Sequence, residues 1–487
     1  MKSISISQDE VLAGRAEQAR SVGWALAGLS LSMLLSSLGT SVANVALPTF
    51  ARVFSASFQE VQWIVLAYLL AITTLIVSVG RLGDIIGRRR LLLAGIFLFT
   101  AASVLCGVTP ALGFLIAARA AQGLGAAIMM ALTIAFVGDT VPKDRTGSAM
   151  GILGTMSAIG TALGPSLGGV LIAGLGWRAI FLVNVPLGIL SFLLAQRTLP
   201  VDRRRANAER AGFDSVGTLL LALTLAAYAL AMTIGRGAFG SLNLALLAAA
   251  AFGVALFARA ESRAASPLIR LAMFRDPVLS AGLAMSALVS TVMMATLVVG
   301  PFYLSGALGL DAAGVGLVLS VGPLVVALTG VPAGRLADHF GAPRMAIAGL
   351  IGIGAGSLVL SVLPLAFGIP GYLASIVVIT LGYGLFQTAN NTVVTTDVPA
   401  DRRGVVSGIL NLSRYLGLTT GAAVMGAVFA LGSATVDVTT ARPDAVAAGL
   451  RFTFLVASML IAVALVLAFA SRGKSVASAG FSDGRRR

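Results

Sequence analysis

Residues 80–88 read G-R-L-G-D-I-I-G-R, and residues 334–341 read G-R-L-A-D-H-F-G. Both segments carry the pattern G-R-L-x-D-x-x-G, and each one directly follows a long apolar run. An internal repeat of this kind is typical of membrane transporters that are built from two related halves. The sequence therefore predicts a membrane protein with two halves of similar structure.

The composition of the whole chain agrees with burial in lipid. Of the 487 residues, 57% are hydrophobic and 11% are charged. A soluble domain carries about 25% charged residues. The mean hydropathy of +0.97 extends along the whole length, so one or two anchors on a soluble body do not explain it. The composition excludes an ordinary cytosolic enzyme.

Fourteen apolar runs have the length of a membrane span, which needs about 20 residues. They are 24–47, 61–80, 91–109, 112–138, 148–174, 179–197, 215–234, 242–259, 278–304, 313–333, 345–364, 371–395, 405–431 and 450–470. Polar segments at 198–213 and 260–277 divide these spans into groups of six, two and six. The predicted domains are a cytoplasmic segment, a six-helix bundle, a linker with two extra spans, a second six-helix bundle and a basic cytoplasmic tail, at 1–21, 22–198, 199–277, 278–470 and 471–487.

The basic residues predict the orientation. Of the 34 Lys and Arg residues, 27 fall on the side of the predicted spans that carries the N-terminus, and five fall on the other side. Because Lys and Arg are enriched in cytoplasmic loops, this bias predicts a multi-pass protein of the cell (inner) membrane with both termini in the cytoplasm.

The sequence lacks residues that several classes of protein function require. The single cysteine, Cys106, and the single histidine, His339, cannot form an intrachain disulfide or a Cys- or His-rich metal site. The sequence contains no G-x-x-x-x-G-K-[ST] phosphate loop, and it has no large soluble domain that could hydrolyse ATP. Its basic residues lie between apolar runs, unlike a nucleic-acid-binding surface. We expect neither an enzyme nor an ATP-driven pump, and neither a metal nor a cofactor.

Five motifs carry a resemblance to a known family. Residues 80–90 resemble the loop signature of the major facilitator superfamily, and 119–123 (R-A-A-Q-G) resembles its buried-arginine motif. Residues 160–169 (G-T-A-L-G-P-S-L-G-G) resemble its antiporter motif. Residues 44–48 (N-V-A-L-P) and 176–186 (G-W-R-A-I-F-L-V-N-V-P) are similar to segments of the fourteen-helix drug:proton antiporters. The resemblance covers nearly the whole chain.

The resemblance implies an all-α fold with two pseudo-symmetric six-helix bundles that alternate access to a central site. It also implies multidrug efflux, with antibiotic resistance as its outcome, in which small amphipathic compounds leave by proton antiport and the proton is the coupling ion. The expected partners are a small-molecule substrate and membrane lipid, without nucleic acid. In a double-membrane bacterium they would include a periplasmic adaptor and an outer-membrane channel.

The resemblance assigns the repeated segments and the glycine-rich segment to conformational change. We interpret Asp84 as a latch in a loop between two helix ends, paired with Arg88 and flanked by Gly80 and Gly87. Asp338 and Gly341 are the weaker counterpart in the second half. A simpler alternative is that the arginines only keep this loop inside. The antiporter motif comprises Gly160, Gly164, Pro165, Gly168 and Gly169, for which tight helix packing alone is the alternative.

The first span departs from the family, because Gly39 stands where the fourteen-helix antiporters carry an acidic residue. The candidates for proton coupling are then Asp139, Arg119 and Asp84. The alternatives are a structural Arg119 bonded to backbone carbonyls and an Asp139 that faces a neighbouring loop. The missing acid also leaves a different function open, namely metabolite uptake or uniport on the same fold.

Two arginines and no clear acid within the spans favour neutral, zwitterionic or anionic amphipathic substrates. We expect Arg414, which lies nearer the cytoplasmic end of its span, to extend to the membrane interface. The candidate substrate contacts are polar residues within spans, for which hydrogen bonds between helices are the alternative: Asn44, Tyr68, Gln122, Tyr383, Gln387, Asn390, Asn391 and Asn411. Among them we favour Asn44 and Gln387.

Overall fold

The structure, a computed structural model, describes residues 8–76, 78–141, 146–200, 202, 214–234, 240–264, 271–396, 403–435 and 438–483. Within these ranges the regular structure is entirely helical, and 14 helices are long and apolar enough to cross a membrane. They are α1 (Gln8–Val45), α2 (Phe58–Leu75), α3 (Arg88–Val108), α4 (Leu112–Thr140), α5 (Thr146–Leu175), α6 (Ala179–Thr198), α7 (Ser215–Thr233), α8 (Ser241–Arg263), α9 (Pro277–Ala307), α10 (Ala312–Phe340), α11 (Ala342–Val362), α12 (Gly368–Thr396), α13 (403–432) and α14 (Pro443–Asp483). The predicted number of spans is confirmed.

The first copy of the repeated segment is not the loop that the sequence predicted. Val79–Ile86 forms a short helix that contains Asp84, and α3 begins at Arg88. Only Gly87, with φ of +107°, separates the two helices. Residues 79–86 contain no proline and stay helical through Gly80 and Gly83, whereas Gly87 adopts positive φ without steric strain. The second copy lies at the end of α10, where Gly341 has φ of +87°. The repeat is thus a helix end followed by a glycine.

The two halves repeat each other in their packing. In the first bundle, formed by α1–α6, the glycines Gly160, Gly164 and Gly168 of α5 face α1. In the second bundle, formed by α9–α14, Gly417 and Gly421 of α13 face α9 in the same way. Since a missing side chain lets two helix backbones approach closely, these glycines set the helix spacing in both halves.

The two additional helices, α7 and α8, pack on each other beside the bundles. Trp63 Nε1 of α2 donates a hydrogen bond to Thr233 Oγ1 of α7 at 3.1 Å. The Ser78 and Thr218 hydroxyls are 3.0 Å apart. These contacts fix α7 against the second helix of the first bundle.

The halves meet most closely on one side of the membrane. We call the side where α1 begins the N-side and the other the far side. On the far side the Phe58 ring is 4.6 Å from Phe302, and a Cβ on Gly169 of α5 would lie 2.6 Å from the Ala312 carbonyl oxygen of α10. Towards the N-side, added Cβ atoms at Gly154 and Gly330 of the same helices would have no neighbour within 4 Å. The two halves therefore touch on the far side, whereas the space beside Gly154 of α5 and Gly330 of α10 is open towards the N-side.

Candidate functional site

A cavity of about 250 Å³ lies between the two halves, with walls from α1, α5, α9, α10, α12 and α13. Its walls are mainly apolar, as is usual for small-molecule sites. None of the described residues that line it is acidic. Its polar lining residues are Ser37, Thr40, Ser41, Ser157, Thr161, Thr296, Tyr372, Thr380, Tyr383, Gln387, Arg414 and Tyr415.

Arg119 lies outside this cavity wall and is fully buried in the first bundle. Its Nε donates to the Ile64 carbonyl at 3.0 Å, and its Nη2 donates to the Gly39 carbonyl at 3.0 Å. Its Nη1 donates to Gln122 Oε1 at 2.5 Å, and its Cζ lies 4.1 Å from the centre of the Tyr68 ring. This is the geometry expected for a structural arginine, because each edge of the guanidinium has an acceptor.

Gly39 lies next to this arginine in a space that is already occupied. A Cβ at position 39 would lie 2.9 Å from the Tyr68 hydroxyl and 3.2 Å from the Phe99 ring. The Tyr68 hydroxyl is itself held by the Ser36 carbonyl, to which it donates at 2.7 Å. The tyrosine and phenylalanine thus fill the space into which an acidic side chain at position 39 would extend.

Arg414 has the opposite environment. It lies on α13 in the cavity wall, so the interpretation that it extends to the membrane interface was wrong. Its Nε is buried without a hydrogen-bond acceptor, and within the described part of the chain its guanidinium forms no ion pair. Its electrostatic neighbours are the Tyr383 and Tyr415 hydroxyls. Sequence reasoning missed its orientation, because the rotation of α13 follows from packing against α9.

The predicted substrate contacts separate into two groups. Tyr383 and Gln387 line the cavity on one face of α12. Asn44, Tyr68, Gln122, Asn390, Asn391 and Asn411 are not among the lining residues. Asn44 Nδ2 donates to the Thr40 carbonyl at 3.1 Å, and Asn390 Nδ2 donates to the Gly282 carbonyl at 3.2 Å. Gln122 Nε2 donates to Ser103 Oγ at 2.8 Å, so it supports Arg119 from the side of α3. Of the two favoured residues, only Gln387 is at the cavity.

The three proton-coupling candidates are not brought together. Asp84 is partly exposed at the N-side, and its Oδ1 lies 3.0 Å from Arg88 Nη2. Asp139 is one residue from the end of α4, and its side chain lies outside the described part of the structure. Arg119 is near the beginning of the same helix. In the second repeat, Asp338 is exposed, and no described residue forms an ion pair with it.

A carboxylate that sequence reasoning missed, that of Asp202, binds the first repeated segment. Asp202 accepts hydrogen bonds from the backbone N–H groups of Arg89 at 2.8 Å and Arg90 at 3.1 Å, and so caps the beginning of α3. A Cβ on Gly87 would lie 2.5 Å from Asp202 Oδ2, so this approach also requires glycine. A glycine at the N-cap position has no side chain that could accept hydrogen bonds from the first N–H groups of α3. This was the one signal in the sequence that another residue must supply the acceptor.

The antiporter motif links the two halves through α5. A Cβ on Gly160 would lie 2.5 Å from the Leu34 carbonyl oxygen of α1, and one on Gly168 would lie 2.7 Å from Val45 Cγ1. On the other side of α5, Gly169 and the Pro165 carbonyl contact α10 at Gly316. The motif therefore allows close packing of α5 on α1 within the first half, and it also forms the far-side contact of α5 with α10 between the halves.

A bundle of two repeated halves around a central apolar cavity defines a membrane transporter. Residues 29–422 match the Major Facilitator Superfamily, and the chain belongs to this family. It is a multi-pass membrane protein with relatives among multidrug efflux pumps.

Two relatives and one solved structure illustrate the range of the family. The chain is 35% identical over 411 residues to the multidrug resistance protein Stp of Mycobacterium tuberculosis, covering 83% of this chain and 74% of Stp. It is 31% identical over 402 residues to the riboflavin transporter RibZ of Clostridioides difficile, covering 82% of this chain and 87% of RibZ. Its fold is similar, with a TM-score of 0.68 and 17% identity, to a bacterial homologue of the human lysosomal transporter Spinster in an inward-facing and unoccupied conformation, covering 93% and 97% of the two chains.

Proposed function

We propose that this transporter is a secondary exporter of small amphipathic compounds that works by proton antiport and alternating access. The observation that carries the proposal is the apolar cavity between two halves that touch on the far side, with open space beside α5 and α10 towards the N-side. The similarity to Stp, which is named a multidrug resistance protein, supports export. The charge bias supports a cytoplasmic N-side in the cell (inner) membrane, so that the described state would load substrate from the cytoplasm.

Export requires the far-side contacts to open while the N-side closes. The contacts that would have to separate are those of Phe58 with Phe302 and of Gly169 with Gly316. Gln62 Nε2 donates to the Ala422 carbonyl across the halves at 3.1 Å and belongs to the same closure. On the N-side, the pair of Asp84 with Arg88 is available to stabilise a different arrangement when the halves rock.

Proton coupling requires a carboxylate that changes its protonation state during the cycle. Asp139 and Asp84 are our candidates, because the described cavity wall contains no acid and, with Gly39, the membrane-spanning part of α1 (Gly23–Val45) contains none either. Arg119 is bonded to its own acceptors in the first bundle, so it would influence the protonation of either carboxylate only indirectly, through the helices that it holds together. We expect no cofactor, and we expect a small-molecule substrate, membrane lipid and, in a double-membrane bacterium, an adaptor and an outer-membrane channel as partners.

The second candidate function is uptake or uniport of a metabolite. The crowded space at Gly39 favours it, because Tyr68 and Phe99 occupy the volume of the acidic side chain that the drug:proton antiporters carry. RibZ, which is named a riboflavin transporter, supports the same alternative.

Transport by purified protein in proteoliposomes under an imposed pH gradient separates the two functions. A panel of cationic, neutral and anionic fluorescent amphiphiles would be followed with wild-type protein, Asp139→Asn and a control, Arg442→Gln, whose side chain is 88% exposed on the far side. We expect gradient-driven movement in the wild type and the control, and its loss in Asp139→Asn. Movement that ignores the pH gradient contradicts antiport and supports uniport.

A further inference from the structure

We propose that Arg414 is an anion-recognition residue, and that the cavity selects amphipathic organic acids with one carboxylate. The inference rests on the proposed function, because it takes the cavity as the transport site. It names a substrate class and a binding residue. The expected ligand has an apolar body and one carboxylate that faces α13.

Arg414 lacks a counter-charge among the described residues. A guanidinium within the membrane has a large desolvation penalty unless it is paired or lies in a water-filled cavity. Arg119 meets this requirement with three acceptors. Arg414 has no ion pair and no acceptor for its Nε among the described residues. An anionic ligand in the cavity would supply what the protein does not.

Most hydroxyl groups in the cavity wall already donate a hydrogen bond within the protein. Thr40, Thr161 and Thr380 donate their hydroxyls to backbone carbonyls of their own helices, at 3.1, 3.0 and 2.7 Å. The Tyr415 hydroxyl donates to the sulfur of Met130 at 3.0 Å. These lining residues therefore contribute acceptors and carbon atoms rather than free donors.

Three further donors in the cavity wall have no acceptor among the described residues: the Tyr372 and Tyr383 hydroxyls and the Gln387 amide. A guanidinium matches the two oxygens of a carboxylate, and hydrogen bonds to charged groups are the strong ones. The wall also contains a large apolar part, with Met293, Leu297, Leu319 and Val326, which suits the body of an amphipathic molecule.

The test compares three probes that share the naphthalene body and differ in charge: 2-naphthoate, its neutral and nearly isosteric amide 2-naphthamide, and the cation 2-naphthylmethylammonium. Their dissociation constants would be measured by equilibrium dialysis against the purified full-length protein in detergent. We expect 2-naphthoate to bind the wild type about 10- to 100-fold more tightly than 2-naphthamide, and the cation to bind weakest. Arg414→Gln should abolish the preference for the carboxylate, and Arg414→Lys should retain part of it.

Two controls distinguish a loss of carboxylate binding from a loss of folded protein. Arg442→Gln removes the same charge on the exposed far side and should keep the full preference. Binding of 2-naphthamide reports whether the Arg414→Gln cavity is intact, and the order of the three probes on wild-type protein requires no variant. Equal affinity for all three probes, no detectable binding of 2-naphthoate, or a carboxylate preference that survives in Arg414→Gln overturns the proposal.

The binding measurement and the transport assay can give negative results independently, because binding in detergent requires neither a pH gradient nor a direction of transport. Carboxylate binding that depends on Arg414 without gradient-driven transport would retain the site and reject antiport. Gradient-driven export of cations and neutral compounds by both wild type and Arg414→Gln would retain the exporter and reject the site.

Discussion

Arg119 and Arg414 are both arginines within membrane-spanning helices, one in each half of the protein, yet they differ in every contact. Arg119 is enclosed by the Ile64 and Gly39 carbonyls, the Gln122 amide and the Tyr68 ring. Arg414 faces the cavity, and its Nε has no acceptor among the described residues. In the first half the protein itself satisfies the charge, whereas in the second half the charge remains available to a ligand.

A structural charge and a functional charge should respond differently to removal. Removing a fully bonded charge leaves its acceptors buried and unpaired, so stability falls. Removing an unpaired buried charge relieves a desolvation penalty, so stability stays the same or rises while function is lost. Stability and binding should therefore respond in opposite ways at the two positions, and four substitutions test this expectation.

Arg119→Gln should have the largest effect on stability. The shorter side chain cannot reach the three acceptors, and we expect a loss of about 3 kcal/mol or more in the free energy of unfolding. The thermal unfolding midpoint of the purified variant in detergent measures it. A midpoint equal to that of the wild type contradicts the structural role of this arginine.

Gln122→Leu should lower stability by about 2 kcal/mol, because one N–H group of Arg119 and the Ser103 hydroxyl each lose a buried partner. The same unfolding assay measures the change. In the double variant Arg119→Gln/Gln122→Leu, the two losses should not add, since both residues belong to one network. Fully additive losses would show that the network does not exist.

Gly39→Ala should lower stability by about 1–2 kcal/mol, because the new methyl group crowds the Tyr68 hydroxyl and the Phe99 ring in a packed bundle. Unfolding midpoints of Gly39→Ala alone and combined with Tyr68→Phe test this cause. If the phenylalanine restores no stability, crowding of the Tyr68 hydroxyl is not the reason.

Arg414→Gln should have the smallest effect on stability, within about 0.5 kcal/mol of the wild type or on the stabilising side. The measurement is the unfolding midpoint without ligand. A decrease as large as that of Arg119→Gln would show that Arg414 is bonded within the protein, as Arg119 is.

Sequence reasoning reached the number of spans and the repeat, because apolar runs of about 20 residues and paired glycine motifs are strong local signals. It did not separate the two arginines. The acceptors of Arg119 include the backbone carbonyls of Ile64 and Gly39. Every residue has such a carbonyl, so the residue type does not predict which ones accept. The orientation of Arg414 depends on helix rotation, where one residue corresponds to about 100°.

The same limit applies to the rest of the candidate site. Gln387 and Tyr383 could be chosen as polar residues within a span, but Asn44 met the same criterion and makes its contact inside its own helix. Asp202 caps α3 from more than 100 residues away in the chain, so its role depends on how α6 returns to the N-side.

Thermal unfolding of wild type, Arg119→Gln and Arg414→Gln, each with and without saturating 2-naphthoate, would show whether Arg119 is structural and Arg414 binds the ligand. A ligand that binds only the folded state raises the unfolding midpoint. We predict that Arg119→Gln lowers the midpoint, and that Arg414→Gln keeps it but loses the rise caused by 2-naphthoate. An Arg414→Gln variant that unfolds as early as Arg119→Gln, and is still stabilised by 2-naphthoate, would contradict the account.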